Sequence, residues 1–428
     1  PPLTSLRTGV PMGLEWIVSK CLAKDPNERY QACADLIVDL RSGGWILVYG
    51  RRKTGKTFLV SRFLDHDSYY FVKRDRTVIL NNDWKMINME TMLELMKRDL
   101  HDEKTVVIDE FHRLGSDFLD LLHSLEMRGK LVLISSTLHL SREIISGSSP
   151  LLGKVSELKV PIISYLTLLR GDPGKGKKYY EMQAFRQEPL VIALGYRNPV
   201  DAVKGSILTV PALIGEIFSE EDRKLSSTYE GILRSVAVGR STSGEIASYL
   251  FSRKIIKKDD PSLVQQYILN LLDIGILKRT QVFNRNRYVY NHTSPMAWAF
   301  YSLDERYNIS DRDLSSIELG RLLEEILPRI METVIRTSIS ERTGTIDFVD
   351  HSPHDEIDGF FVRFRKPVAV MEVKWKVKIG RREASRIREK LMSHDADRRI
   401  LIVPDRKMIE IEGVEVLEPS DILDLEIQ

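Results

Sequence analysis

The eight residues Gly50-Arg51-Arg52-Lys53-Thr54-Gly55-Lys56-Thr57 constrain this chain more than any other stretch. They fit G-x-x-x-x-G-K-[ST] in the context where that pattern has a physical meaning. The apolar run Ile46-Leu47-Val48-Tyr49 precedes them, and the helical pattern Phe58–Leu64 follows. The two glycines let the backbone curl so that its N–H groups face one point, and a helix N-terminus adds positive potential there. Such a loop cradles nucleotide phosphates. Lys56 is expected to reach the β- and γ-phosphates, and the Thr57 hydroxyl to bind Mg²⁺. All eight residues are expected contacts of ATP.

A second segment suits the first. Thr105-Val106-Val107-Ile108 ends in Asp109-Glu110. In open α/β sheets ligands bind at the carboxyl ends of strands. Asp109 is expected to hold Mg²⁺ through water, and Glu110 to polarise the attacking water. The next apolar run, Leu131-Val132-Leu133-Ile134, leads into Ser135-Ser136-Thr137. Ser136 is the candidate to touch the γ-phosphate and the water; the alternative is an N-cap for a following helix.

The remaining chain is too long for one core. With 428 residues, two to four domains are expected. Lys and Arg total 63 against 61 Asp and Glu, so any nucleic-acid preference must come from local patches. The two cysteines, Cys21 and Cys33, form neither a disulfide framework nor a metal spacing. No apolar run reaches bilayer length, and the first residues lack a signal pattern. A cytoplasmic protein without a membrane partner is expected.

Short apolar runs alternate with amphipathic stretches over 45–160, as in an α/β parallel sheet. Residues 160–222 read as mostly helical. Residues 225–293 hold three helical patterns and then a hairpin, Ile276–Arg279 with Arg287–Tyr290, which is a winged-helix pattern. Ser241–Leu250 and Pro261–Leu272 would be its helix-turn-helix, and Lys278, Arg279, Arg285 and Arg287 would decorate the wing and meet phosphates. Residues 315–335 form one amphipathic helix. Residues 344–428 return to α/β, with strands near Phe360–Phe364, Val368–Glu372 and Ile400–Val403.

From Trp45 to about Phe300 the chain resembles the archaeal ATPases of the STAND class, relatives of the AAA+ proteins. GRRKTGKT, IDEFHRL, LISSTLHL and SPLLGK look like that family's Walker A, Walker B, sensor region and following loop. Where the family usually shows arginine at the end of the last motif, this chain has Lys154, a cation without the planar fork. The family's adenine-side Gly-x-Pro corresponds to Gln187-Glu188-Pro189 without its glycine, and only Pro189 is carried over as nucleotide-binding. The resemblance implies a helical lid and a winged helix that either closes over the nucleotide or contacts DNA. His292 would face the nucleotide in a closed state, or be an ordinary turn residue.

A third chemical stretch is HDEIDGFFVRFRKPVAVMEVKWK. Asp358 precedes a strand, and Glu372 and Lys374 share one face of the next by the period of two. An Asp with Glu-x-Lys can hold a divalent metal and set a lysine beside the attacking water. Glu324 on the preceding helix could add a carboxylate. Residues 315–420 resemble the PD-(D/E)XK restriction-endonuclease-like fold, which implies Asp358, Glu372 and Glu324 as ligands of a second Mg²⁺ or Mn²⁺, with Glu372 and Lys374 catalytic. The basic run Lys376, Lys378, Arg381, Arg382, Arg386, Arg388 and Lys390 suits a nucleic-acid backbone, or is a solvated helix face. Residues 12–41 resemble the last helices of a bacterial Ser/Thr protein kinase domain, with Arg29 at the arginine that pairs with an activation-segment Glu. No HRD, DFG or β3 lysine accompanies them, so this piece reads as a helical extension.

The expected fold class is α/β: a helical extension (1–42), a P-loop NTPase parallel sheet (43–160), a helical lid (161–224), a winged helix (225–305) and a restriction-endonuclease-like α/β domain (315–428). The expected function is Mg²⁺-dependent ATP binding and hydrolysis coupled to a DNA-acting module with a second, nuclease activity. The alternative is a non-cleaving nucleotide-dependent switch that binds DNA or a protein partner. Oligomerisation stays open.

Overall fold

Runs of apolar residues with both faces covered make the strands of the first sheet. The computed structural model describes residues 44–80, 84–138, 141, 151, 154–350 and 357–427. The kinase-like segment 12–41 with Arg29, and the helix expected after Ser136, fall outside the described residues. The chain divides into two units, residues 1–161 with 216–223, and 162–215 with 224–428.

The first unit is built on β1 (Trp45–Tyr49), β2 (Ser68–Val72), β3 (Val78–Leu80), β4 (Lys85–Ile87), β5 (Thr105–Asp109), β6 (Lys130–Ser135) and β7 (Val155–Lys159), in the order β4-β3-β2-β5-β6-β1-β7. The five strands β2, β5, β6, β1 and β7 run parallel, and β3 and β4 continue the edge antiparallel. Alternate residues go to opposite faces. Trp45, Leu47, Val106, Ile108, Leu131 and Leu133 enter one core with Met92 and Met96 of α2 (Met89–His101) and Phe118 and Leu122 of α3 (Ser116–Ser124). Ile46, Val48, Val107, Val132 and Ile134 enter the other with Val60 of α1 (Lys56–Phe63). Because β1 and β5 both flank β6, with Tyr49 opposite Ser135 and Asp109 opposite Ile134, the carboxyl ends of these strands share one edge.

The second unit begins with α4 (Tyr165–Gly171), α5 (Lys177–Arg186), α6 (Pro189–Ala193) and α7 (Pro199–Glu220), whose last residues group with the first unit. By length and composition α7 could cross a membrane, although the sequence shows no unbroken apolar run of that length. Ala202, Val203, Val210, Ile214, Ile217 and Phe218 are buried, Leu208 is exposed, and its carboxyl end carries Glu216 and Glu220. Then come α8 (Ser227–Ala237), α9 (Ser243–Ser252), α10 (Ser262–Asp273) and the antiparallel hairpin β8 (Leu277–Val282) and β9 (Tyr288–His292). A capping box of Thr242 and Glu245 starts α9. The helix α11 (Pro295–Tyr307) leads to the long α12 (Ser316–Thr343), which outlasts the expected 315–335 because Ile339 and Thr343 continue its buried face.

The last strands are β10 (Ile346–Val349), β11 (Gly359–Arg363), β12 (Lys366–Val373), β13 (Arg398–Ile402) and β14 (Glu415–Leu417), with α13 (Arg381–Met392) between β12 and β13. Sequence reading separates the hairpin from these strands, but β10 pairs with β8 in parallel, so one seven-stranded sheet runs β14-β13-β12-β11-β10-β8-β9. The pairing joins residues about seventy positions apart and leaves no local signal. Phe283, beyond β8, stacks on Phe360 of β11 with centroids 4.4 Å apart.

Candidate functional site

Backbone shape makes the phosphate loop. A Cβ on Gly50 would stand 2.2 Å from the Val160 carbonyl oxygen, so only glycine fits there. Gly55 has φ 90°, a left-handed conformation that ends the loop and starts α1. Lys56 is buried; its Nζ donates to the Gly50 and Arg51 carbonyl oxygens at 2.8 and 2.9 Å. Burial lowers the Lys56 ammonium to about 8, against the pull of Glu110 and Asp109.

Asp109 closes the loop from β5. The Thr57 hydroxyl donates to Asp109 Oδ2 at 2.8 Å, and the Tyr69 hydroxyl donates to the same oxygen at 2.6 Å. Burial pushes the Asp109 carboxyl up despite these bonds. Its other oxygen, Oδ1, is buried with no hydrogen-bond partner among the described residues. A desolvated carboxylate oxygen beside a threonine hydroxyl is the donor set a hard cation takes. Asp109 and Thr57 therefore fit Mg²⁺.

Glu110 follows in a left-handed backbone conformation, φ 59°. Its Oε2 accepts from the Ser136 hydroxyl at 2.6 Å and from the Ser136 N–H at 3.3 Å. Ser136 is thus a group that orients the glutamate. His112 Nδ1 lies 3.5 Å from the same Oε2.

Two acidic residues that sequence reading missed complete this end of the first unit. Glu216 and Glu220 come from the end of α7. Arg52 of the loop donates to Glu216 Oε2 at 2.6 Å and Glu220 Oε1 at 3.0 Å. Glu220 also takes Arg74 at 2.9 Å and Arg113 at 3.0 Å, and His112 Nε2 lies 3.3 Å from it. Burial would raise the Glu220 carboxyl, but the bonds to His112, Arg74 and Arg113 outweigh it and hold it well below the usual range. Ligand atoms of Glu110, His112 and Glu220 lie within 4.8 Å of one another, yet the arginines make this an ion-pair cluster. An acidic helix end more than a hundred residues from Arg113 reads as a solvated turn, and no spacing rule would have selected it.

Lys154 donates to the Leu125 carbonyl oxygen at 3.1 Å and to that of His123, so it caps α3 and its charge answers a helix carboxyl end. Pro189 is the first residue of α6, in the second unit. His292 is neither a turn residue nor a surface group. It ends β9, is buried, and its Nε2 lies 2.9 Å from the Leu233 carbonyl oxygen while the ring stacks on Tyr301. Burial lowers its imidazole to about 4. Lys278 does not decorate a wing: its Nζ turns onto α12 and donates to the Thr337 hydroxyl at 3.0 Å. Arg279 lies over the Tyr288 ring, and Arg285 and Arg287 are exposed.

In the second unit, Asp358, Lys374 and Glu332 line a cavity of about 680 Å³. Asp358 Oδ2 accepts from the Val373 N–H at 2.7 Å. Burial, then the carboxylates of Glu332 and Glu372, push the Asp358 carboxyl well up. Glu372 is 2% exposed and held on both oxygens, by Lys374 Nζ at 2.5 Å and Lys390 Nζ at 2.6 Å. Burial pulls the Lys374 ammonium down, but Glu372 outweighs it and the net shift is upward. Glu324 is not brought to this cluster. It is exposed and pairs with Lys177, and the carboxylate that α12 sends to the cavity is Glu332, about 12 Å further along the axis. Lys390, expected among surface cations, turns inward beside buried Ile387 and Leu391.

Residues 42–169 match the family model described as AAA domain. An uncharacterized protein of Methanocaldococcus jannaschii is 23% identical over 275 residues; the match covers 56% of this chain and 59% of that protein's length. Among solved structures, the Walker-type ATPase of Pyrococcus abyssi is 17% identical, with 65% of this chain and 97% of that one covered at a TM-score of 0.42. The Aeropyrum pernix ORC2 protein in ADPNP and ADP complexes is 13% identical, with 70% and 92% covered at a TM-score of 0.36. The AAA-domain match over residues 42–169 contains the Gly50–Thr57 loop and the Asp109-Glu110 pair described above.

Proposed function

We propose that this chain is a Mg²⁺-dependent ATPase of the STAND kind whose nucleotide state governs a DNA-acting second unit. One observation carries the ATPase reading: at the end of β5, Asp109 bonds the Thr57 hydroxyl while Glu110 is oriented by Ser136. Loop N–H groups and Lys56 bind the phosphates. Mg²⁺ held by Thr57 and Asp109 would neutralise charge across the β- and γ-phosphates. Glu110 orients the attacking water and draws its proton, and Ser136 keeps the carboxylate aimed. Support for DNA comes from the α9–α10 pair with its hairpin, read as a winged helix, and from exposed Arg285, Arg287, Arg381, Arg382 and Arg386.

Cleavage is a second reading, favoured by the convergence of Asp358, Glu332 and Lys374 on one cavity. Burial and then the repulsion of Glu332 and Glu372 raise the Asp358 carboxyl, and a Mg²⁺ or Mn²⁺ ion there would offset both. Binding Glu372 as well would require displacing Lys374 or Lys390, which favours a non-cleaving switch. The test is ATP turnover with and without DNA, alongside DNA integrity in Mg²⁺ and Mn²⁺, for wild type, Lys56→Ala and Lys374→Ala. Turnover lost in Lys56→Ala supports the ATPase reading, and wild-type protein that neither binds nor hydrolyses ATP refutes it. Cleavage lost in Lys374→Ala supports the nuclease reading; intact DNA under every metal condition leaves the switch.

A further inference from the structure

Arg52, the third residue of the phosphate loop, reaches the acid assigned to water activation. Its Nη1 lies 3.7 Å from Glu110 Oε1. The loop wraps a phosphate chain whose last member meets the attacking water at Glu110, so a guanidinium this close to Glu110 stands at the γ-phosphate end. It is not idle there. Nε is bonded to Glu216 and Nη1 to Glu220.

Glu220 has more partners than a carboxylate needs for an ordinary ion pair. Arg52, Arg74 and Arg113 converge on it, with His112 Nε2 at 3.3 Å. Several guanidiniums aimed at one buried point are the donor set that recognises a phosphate. Here a carboxylate fills it. Arg74 follows β2 and Arg113 follows β5, so of the three only Arg52 belongs to the loop and can serve either anion by turning its side chain.

Resting on the ATP reading above, we propose that Arg52 is a γ-phosphate ligand supplied in cis, and that Glu220 is the competing anion that holds it until ATP binds. ADP lacks the third phosphate and leaves Arg52 on Glu216 and Glu220. ATP brings an acceptor of higher charge, and the guanidinium exchanges carboxylate for phosphate. No covalent bond changes; one set of ion pairs replaces another. The exchange releases Glu216 and Glu220, so the third phosphate is registered by the segment 216–223.

The experiment measures affinities for ADP and for a non-hydrolysable ATP analogue, both with Mg²⁺, in wild type, Arg52→Ala, Arg52→Lys and Glu220→Gln. A charge-assisted bond to the γ-phosphate predicts that Arg52→Ala lowers the triphosphate-to-diphosphate affinity ratio by about tenfold or more. Arg52→Lys restores part of it, since the charge remains and the fork is lost. Glu220→Gln raises the ratio, because the competitor is weakened. Should Glu220→Gln lower the melting temperature, Glu216→Gln, at a partly exposed position, is expected to raise the ratio as well. An unchanged ratio in Arg52→Ala, with ADP still bound, overturns the proposal alone. A lowered ratio in both glutamate variants also overturns it. If wild type binds neither nucleotide, the ATP reading falls and this proposal falls with it.

Discussion

Nucleotide affinity should fall as pH rises through the mildly alkaline range, and Lys56 is the reason. Its ammonium titrates near 8 rather than 10.5, chiefly because it is buried. A nucleotide places phosphate oxygens against it and restores at least the ordinary value. The protonated form then binds, and the free protein must first recover a proton whenever the pH exceeds 8. The sign follows from linkage: the complex holds more protons than the free protein above that pH, so alkali opposes binding. Between about pH 7.5 and about pH 9 the protonated fraction of free Lys56 falls roughly eightfold, so affinity weakens by the same factor, about 1.2 kcal/mol. Fluorescent ADP titrated in EDTA is the cleanest assay, because no metal enters the balance. Lys56→Arg supplies the control, since a guanidinium stays charged across the range. The variant should bind less well yet show a flat profile. Equal slopes in wild type and Lys56→Arg, or a flat wild-type profile, would refute the argument.

Other outcomes are expected from the same geometry. Gly50→Ala forces a Cβ to within 2.2 Å of the Val160 carbonyl oxygen, so thermal melting should show a loss on the order of 2–3 kcal/mol together with impaired ADP binding. Lys390→Met removes one of two cations from buried Glu372 and should cost about 1.5–3 kcal/mol in denaturant unfolding; replacing Glu372, Lys374 and Lys390 together by apolar residues should return most of that loss. Asp358 has a raised carboxyl pKa, so the folded state holds its proton longer than the unfolded chain and stability falls as pH climbs above the ordinary carboxylate range. Asp358→Asn should therefore raise the melting temperature at neutral pH and flatten its pH dependence. The same variant should abolish any stabilisation by Mn²⁺, and a Mn²⁺-induced shift that survives would exclude Asp358 as a ligand.

What the sequence disclosed was local, and what it hid was long-range. Gly50 to Thr57 is one contiguous turn, so its residue types and order carry its geometry, and the apolar runs Trp45–Tyr49, Thr105–Ile108 and Leu131–Ile134 gave three of the parallel strands. The antiparallel strands β3 and β4 are three residues each, too short for a period of two to register. Helical periodicity did place α12, yet it fixes which face is buried and not which turn meets a partner, and so Glu324 stood in for Glu332 two turns on. Lys390 could have been found: it lies three residues after Ile387 and one before Leu391, at the rim of the only apolar stripe on α13. Glu220 could not. A glutamate at a helix end is ordinary, and its meaning appears only when the fold returns it to Arg52, Arg74 and Arg113. The asymmetry is physical. A phosphate loop needs particular backbone angles, which residue types encode locally, whereas an ion-pair cluster needs only opposite charges brought close, which any acidic and basic residues can supply once tertiary packing selects them.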